Sequence, residues 1–286
     1  MNEDPKLIVD AIKSLVDAIE SLKQEESLIK DYLYPIVLAF FSALMGGYIG
    51  YLGILKRESK EAEKAKIDAT NKIILEALDC FQDLVGIKGN YFEKLTDNPA
   101  QRLLCVPPIL MHHRPSNPEF VNLYYLAKYL TKEASKVSQN GSFQDEQNRF
   151  ANIALLKKVF SNYNTLLEMW KTRNELVLPI FETIVSGSYT TGVAKVDISD
   201  MTRLVGHAKL AQAIDLNEKV LLLTDDILAE FVKLMTELPK IAESIISSKA
   251  LENYGNVFKF KWDTEIQKQF LNRVPVNEAE LKKILS

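Results

Sequence analysis

Residues Pro35 to Leu55 read PIVLAFFSALMGGYIGYLGIL, 21 positions without a charged side chain. As an α-helix this run rises about 31 Å, close to the ~30 Å hydrocarbon core of a bilayer. An uncharged helix of that length has two environments open to it, protein interior or lipid. The flanks decide between them. Lys56, Arg57, Lys60, Lys64 and Lys66 follow the run, whereas only Lys23 and Lys30 lie within a comparable distance before it. The run therefore reads as a single transmembrane helix with the lipid bilayer as its partner. The basic excess on its C-terminal side predicts a single-pass protein of the cell (inner or plasma) membrane, N-terminus outside and C-terminal domain cytoplasmic. Tyr32 and Tyr34 suit the outer interface, and Lys56 and Arg57 can snorkel to headgroups at the inner one. The apolar run begins too late and is too long for a signal peptide, and no basic segment opens the chain, so an uncleaved anchor is expected.

Working outward, the N-terminal side carries Ile8, Ile12, Leu15, Ile19, Leu22 and Ile29 at four–three spacing, with Glu26 as the misfit. This pattern predicts an amphipathic heptad helix over 1–31, usable as a coiled coil, as a helix packed on the protein itself, or at a membrane surface. Residues 1–31 hold eight acids against four lysines, which suits an anionic membrane surface poorly. Pro35 sits where a first helical turn accepts it and separates this helix from the span.

Within the span, Ser42, Gly46 and Gly50 recur every four residues, and Ala39, Ala43 and Gly47 do so on the adjacent strip. Helices in lipid gain little from hydrophobicity on association and depend on close backbone approach, which small-xxx-small spacing allows. The six residues form a glycine-zipper surface and predict a homo-oligomer. A pore built from such helices would be narrow, lined by Ser42 and glycine backbone.

On the C-terminal side the helical pattern continues through KRESKEAEKAKIDATNKIILEALDCFQDLV, rich in strong helix formers, with Ile67, Ile74, Leu78, Phe81 and Leu84 keeping one stripe. One helix is expected from the membrane to about Val85, ended by Gly86 and Gly89. A less regular region follows, roughly Asp97 to Pro118, containing Pro107, Pro108, Pro115 and Pro118. Helices are expected again over Glu119–Val137, from Gln144 to Trp170 or beyond, over Ser199–Leu238 with a break, and over Pro239–Leu251. Asn277, with Glu280 three residues on, has the capping-box pattern of a last helix. VFKFKW, 257–262, alternates like a short strand but has no evident partner. The fold class is all-α: an amphipathic helix (1–31), a transmembrane helix (32–55) and a multi-helix cytoplasmic bundle (56–286).

A net charge of −3 argues against direct DNA binding. Two cysteines, Cys80 and Cys105, are too few for a disulfide scaffold and fit a reducing compartment as structural thiols. GGYIGYLG lacks the strand and the Lys-Ser/Thr ending of a phosphate loop. His112, His113 and Arg114 lie in the proline-rich stretch CVPPILMHHRPSNP, where imidazoles beside a guanidinium can grip an anion or shuttle a proton. Cys105 with the two histidines matches no known ligand spacing, so neither a metal nor a cofactor is expected. Asp215, Glu218, Asp225 and Asp226 read as a solvated helix face. Phe160, Tyr163 and Trp170 fall at helical spacing with Leu156, Leu166 and Leu167 and read as core. No HExxH, Walker-A loop, nucleophile elbow or paired CxxC is present.

Arg173-Asn174, in MWKTRNELVLPIF, resembles the start of the RNase motif of the HEPN helical-bundle family, in which an arginine and a polar residue precede a histidine by a few positions. Leu178, Pro179 and Ile180 stand where that histidine would fall, and Arg203 to His207 has the residue types at too short a spacing. The resemblance covers Arg173 and Asn174 and implies an all-α bundle, an RNase only if a histidine completes the motif; Arg173 and His207 join His112, His113 and Arg114 as candidate ligand-binding residues, and no catalytic residue is assigned. Three functional expectations follow: a membrane-anchored sensor, effector or scaffold with a protein partner, of the kind found in bacterial stress or phage defence; a membrane-tethered nuclease-like enzyme; and a pore-forming subunit. The first makes the protein a non-enzyme.

Overall fold

The computed structural model describes residues 5–21, 33–109, 114–127, 149–186, 198–261 and 269–285. Eight α-helices are described in full: α1 Pro5–Ser21, α2 Tyr34–Gly89, α3 Pro99–Cys105, α4 Ile153–Ser186, α5 Ile198–Val205, α6 His207–Ile245, α7 Ser248–Tyr254 and α8 Glu278–Leu285. Short 3-10 turns stand at Phe92–Lys94, Val121–Leu123 and Arg149–Ala151. Among the described residues there is no strand, so the all-α reading holds. The chain divides into two compact units, Met1–Glu61 and Ala62–Ser286, with the boundary inside α2.

In the first unit, α2 opens at Tyr34 with Pro35 in its first turn, where the missing N–H costs no intrahelical bond. Its apolar run is open along its length: Ile36 is 66 % exposed and Ile49 62 %, and none of its most apolar 18-residue window is buried. A Cβ placed on Gly46, Gly47, Gly50 or Gly53 would meet nothing within 4 Å, so the small-residue strip is uncovered. On α1, Val9, Ile12, Leu15 and Val16 are likewise exposed. Leu22 and Ile29, the later positions of the heptad seam, lie outside the described residues.

The second unit is built on α2, α4 and α6. Ile67, Ile73, Ile74, Ala77, Cys80, Phe81 and Leu84 of α2 face Leu156, Val159, Phe160, Tyr163, Leu166, Leu167 and Trp170 of α4, and the α6 stripe from Val220 to Ala242 completes the core. Phe231 receives the ring edges of Phe160 and Tyr163 at 5.6 and 5.9 Å between centroids. A second, smaller cluster joins Ala100 and Leu103 of α3, Val177 and Ile180 of α4, Met201 of α5, Leu210, Ala213 and Ile214 of α6, and Ile284 of α8.

Several boundaries differ from those the sequence predicts, each for a local reason. Helix α2 runs through Gly86 to Gly89, because Ile87 and Lys88 are buried and hold its last turn. The region after Asp97 is not wholly irregular: Asn98 caps α3, its Oδ1 accepting from the N–H groups of Ala100 and Gln101, with Pro99 at the first helical position. Pro239 does not start a new helix. It lies inside α6, which continues to Ile245 because Leu238, Pro239, Ile241 and Ala242 are all buried. Packing there outweighs the ~3 kcal/mol that an interior proline costs. Pro179 is carried inside α4 in the same way.

The break expected before Leu238 falls at Gly206, between α5 and α6, where φ is +87°. Residues 257–261 are not a strand: Phe258 N–H donates to Asn71 Oδ1 and Asn71 Nδ2 donates to the Asn256 carbonyl, so one α2 side chain takes the place of a partner strand. Trp262 lies outside the described residues. Asn277 caps α8 by accepting from the Glu280 N–H at 3.1 Å.

Candidate functional site

The two apolar clusters of the second unit are separated by a layer of buried charge. Along α6 the apolar positions 210–214 belong to one cluster and those from 220 onward to the other, and Asn217 and Glu218 lie between. Along α4 the same gap falls between Trp170 and Val177 and holds Arg173. Arg173 is fully buried, and each of its five N–H groups has an acceptor: Asn217 Oδ1 from Nε, the Pro107 carbonyl and Asn174 Oδ1 from Nη1, and the Leu103 and Val106 carbonyls from Nη2. Burial pushes its pKa down to about 10, which leaves it charged at neutral pH. Asn174 completes the clamp, accepting from the Ile109 N–H and donating to the Ile109 carbonyl at 2.7 Å. Together the two side chains tie 103–109 to α4.

Two buried ion pairs accompany this clamp along α6: Arg102–Glu218 in the same layer, and Lys88–Asp225 about two turns on, beside the larger apolar cluster. Lys88 Nζ is 2.6 Å from Asp225 Oδ1, and Arg102 Nη1 is 2.9 Å from Glu218 Oε2, with all four side chains at most 2 % exposed. Lys88 also donates to the Asn272 carbonyl, and Arg102 to the carbonyls of Thr96 and Pro275. Burial raises the Glu218 pKa, and Arg102 opposes the shift. Trp170 Nε1 donates to Thr224 Oγ1 and stacks on Tyr91, whose hydroxyl burial pushes well above the usual phenol range. The layer is thus a set of cations donating to carboxylates and main-chain carbonyls, a device that fixes irregular segments to helices.

The surface of the second unit offers one cleft of a different character. It has a volume of about 360 Å³ and is lined by Glu76, Asp79, Cys80, Gln82 and Asp83 of α2, Arg114 and Ser116 of the following loop, and Tyr163 of α4. The loop is held by Asn164, which accepts from the Ser116 N–H and donates to its carbonyl, both at 2.8 Å. Ser116 Oγ bonds Glu76 Oε1 at 2.6 Å, and the Tyr163 hydroxyl donates to Asp83 Oδ2 at 2.9 Å. Burial pushes the Cys80 thiol up to about 12, so it stays protonated at neutral pH.

The sequence candidates are distributed as follows. Arg114 is exposed and lines the cleft. His112 and His113 lie outside the described residues. Arg173 is spent on structural bonds, while His207 is exposed as the first residue of α6. The arginine and histidine of the RNase resemblance therefore do not converge on a shared open surface.

The expectation of a solvated acidic face on α6 holds for Asp215 and Asp226, which pair at the surface with Lys219 and Arg273. It fails for Glu218 and Asp225, which are buried opposite cations from α3 and α2. Their burial has a sequence signal, since Asp225 stands four residues after Leu221 and three before Leu228 on the apolar stripe, and Lys88 four after Leu84. The free cysteines are Cys80, buried, and Cys105, half-buried. Phe160, Tyr163 and Trp170 are core, as their spacing predicts. No group of metal-binding side chains occurs among the described residues. No family model matches the chain, and no curated protein or solved structure does either.

Proposed function

We propose that this is a single-pass membrane protein that self-associates through its span and acts as a sensor, effector or scaffold at the inner face of a membrane, its helical unit binding a partner there. One observation carries the reading: a helix long and apolar enough to cross a bilayer, none of whose most apolar window is buried among the described residues. Left in water, such a surface is a strong aggregation hazard, whereas lipid tails solvate it without cost. The basic residues from Lys56 onward support the orientation, with the bulk of the protein in the cytoplasm. The open strip of Ala39, Ser42, Ala43, Gly46, Gly47 and Gly50 supports helix–helix contact.

The cleft at Arg114 supports a binding role for the helical unit. It sets three carboxylates against one guanidinium, a balance that favours a cationic group on the partner. The saturated bonding of Arg173 speaks against the nuclease reading, and nothing charged in the span favours a conducting pore.

The reading is tested by fractionating cells that express the full chain. The protein should remain with membranes after alkaline carbonate washing and enter solution only with detergent. In mild detergent, cross-linking should give a ladder that Gly46→Leu and Gly50→Leu shorten. A monodisperse chain recovered without detergent refutes the membrane assignment, and a chain that stays at monomer mass after cross-linking refutes self-association alone.

A further inference from the structure

We infer that the C-terminal segment 269–285 is a latch: it closes over the two buried ion pairs by its backbone and opens as a unit while the core of α2, α4 and α6 stays folded. This inference does not rest on the membrane reading. The latch is gripped at three successive points. Asn272 O accepts from Lys88 Nζ at 2.7 Å, the Val274 N–H donates to Asp225 Oδ2 at 2.6 Å, and Pro275 O accepts from Arg102 Nη2. All three are main-chain groups of the segment, held by side chains of α2, α6 and α3. Its apolar anchors are Val274 at 6 % exposure, Ile284 at 8 %, the half-buried Leu271 and Leu281, and the Phe270 ring against Phe92 at 5.6 Å. Arg273 adds an exposed pair with Asp226.

The physics of this contact differs from that of the core. When the latch leaves, Lys88–Asp225 and Arg102–Glu218 lose no ionic partner, because both pairs lie wholly within α2, α3 and α6. They gain water instead, and hydration of a buried ion pair returns part of its desolvation cost. The freed carbonyls and N–H exchange one hydrogen bond for another to solvent, at a small net loss. Separating α4 from α6 has a smaller offset, since beyond the Arg173–Asn217 and Trp170–Thr224 bonds it exposes mainly apolar surface. Departure of the segment is therefore more nearly balanced by solvent than separation of α4 from α6, and such parts open below the global unfolding free energy. It supplies the two-state element that a sensor or effector requires.

Native-state hydrogen exchange on the full chain in detergent micelles, followed against urea, tests this. The amide of residue 274 should exchange at least tenfold faster, relative to its intrinsic rate, than those of Leu228 and Phe231 on α6, and with a shallower urea dependence. Val274→Ala should accelerate exchange at 274 further, by about tenfold, and leave Leu228 and Phe231 unchanged. The proposal is overturned if residue 274 lies within tenfold of the α6 amides or shares their urea dependence, or if Val274→Ala accelerates all three alike. Should that variant fail to fold, the wild-type urea dependence decides by itself.

Discussion

Residues 34–55 hold leucine, isoleucine, phenylalanine and tyrosine side chains in the open, whereas the unit from Ala62 onward holds Lys88, Arg102, Arg173, Glu218 and Asp225 inside. Both arrangements invert the usual distribution of polarity, and they differ in how the inversion is compensated. The charged interior is compensated within the chain, since each cation has carboxylate or carbonyl acceptors at hydrogen-bond distance. The apolar exterior has no such compensation among the described residues, where its most apolar window is wholly unburied. A molecule solves the first problem by folding and the second only by finding another solvent or another copy. For that reason the buried charges are read here as structure and the exposed run as function.

The sharpest way to break this contrast is to remove one member of a buried pair. Asp225→Ala leaves the Lys88 ammonium buried without its carboxylate and strands the Val274 N–H. It should cost about 3–5 kcal/mol, whereas Lys88→Met with Asp225→Leu should cost less than the single change, because no uncompensated charge remains. Urea unfolding of the three proteins measures both numbers. Equal costs for the single and double variants would mean that the layer is not acting as paired charge.

The second test asks how dry the second unit is around its surface cleft. Cys80 borders that cleft, yet its thiol is pushed up to about 12 by burial. An ordinary thiol has a pKa of about 8.5, so at pH 8 Cys80 should carry roughly a thousandth as much thiolate. Half-buried Cys105 should therefore be labelled first by a charged disulfide reagent, at least ~100-fold faster than Cys80. The sign for stability follows. Above about pH 8.5 the unfolded thiol ionises while the native one does not, so the native state holds the extra proton and stability falls as pH rises toward 12. Cys80→Ser, judged by its pH dependence rather than its absolute stability, should remove its part of that slope between about pH 8.5 and 10, below the range where buried Tyr91, Tyr125 and Tyr163 add theirs.

The third test carries a charge into the other region. Met45→Arg sets a guanidinium near the middle of the apolar run, where no acceptor of the kind that surrounds Arg173 is available. Insertion should be weakened by about 2.5–3.5 kcal/mol, and the fraction of protein resisting carbonate extraction should fall. Ile36→Arg, one turn from the end, should have little effect because its side chain reaches the interface. If both variants fractionate like the parent, lipid is not the solvent of this helix.

How much of this was legible before folding depends on the range of the interactions. The exposed run was legible because its evidence is local and additive: 21 uncharged residues and a basic flank. The core positions of α2 and α4 were legible from periodicity, and the α8 cap from Asn277 and Glu280. The short α3 helix is signalled only by Asn98-Pro99, and Pro107, Pro108, Pro115 and Pro118 close by give the surrounding sequence an irregular pattern that masks so short an element. The continuation of α6 through Pro239 was not legible, because burial of its neighbours overrides a local breaker. Apart from Asn174, which adjoins Arg173, the side-chain partners of Lys88, Arg102 and Arg173 lie 44 to 137 residues away, and the others are main-chain carbonyls, which carry no sequence signature. A pattern can mark such residues as misplaced on an apolar stripe but cannot say what they meet. The cleft was half legible: Arg114 was in view, whereas the carboxylates of α2 join it only through the loop that Asn164 holds.

The smallest expected effect separates two glycines that look alike in the sequence. Gly86 lies within α2 and Gly206 between α5 and α6, and a Cβ at either would meet nothing within 4 Å. Space therefore does not distinguish them, and backbone conformation does. Gly206 has φ +87°, which an L side chain disfavours, so Gly206→Ala should destabilise the second unit by about 1–2 kcal/mol. Gly86 has no positive φ and sits in a helix that persists to Gly89, so Gly86→Ala should stabilise by up to about 1 kcal/mol through helix propensity. The opposite signs are the prediction, read from paired urea curves on otherwise identical proteins. If Gly86→Ala proves destabilising instead, the last turn of α2 is not helical in solution, and Lys88 would lose the backbone register that brings it to Asp225.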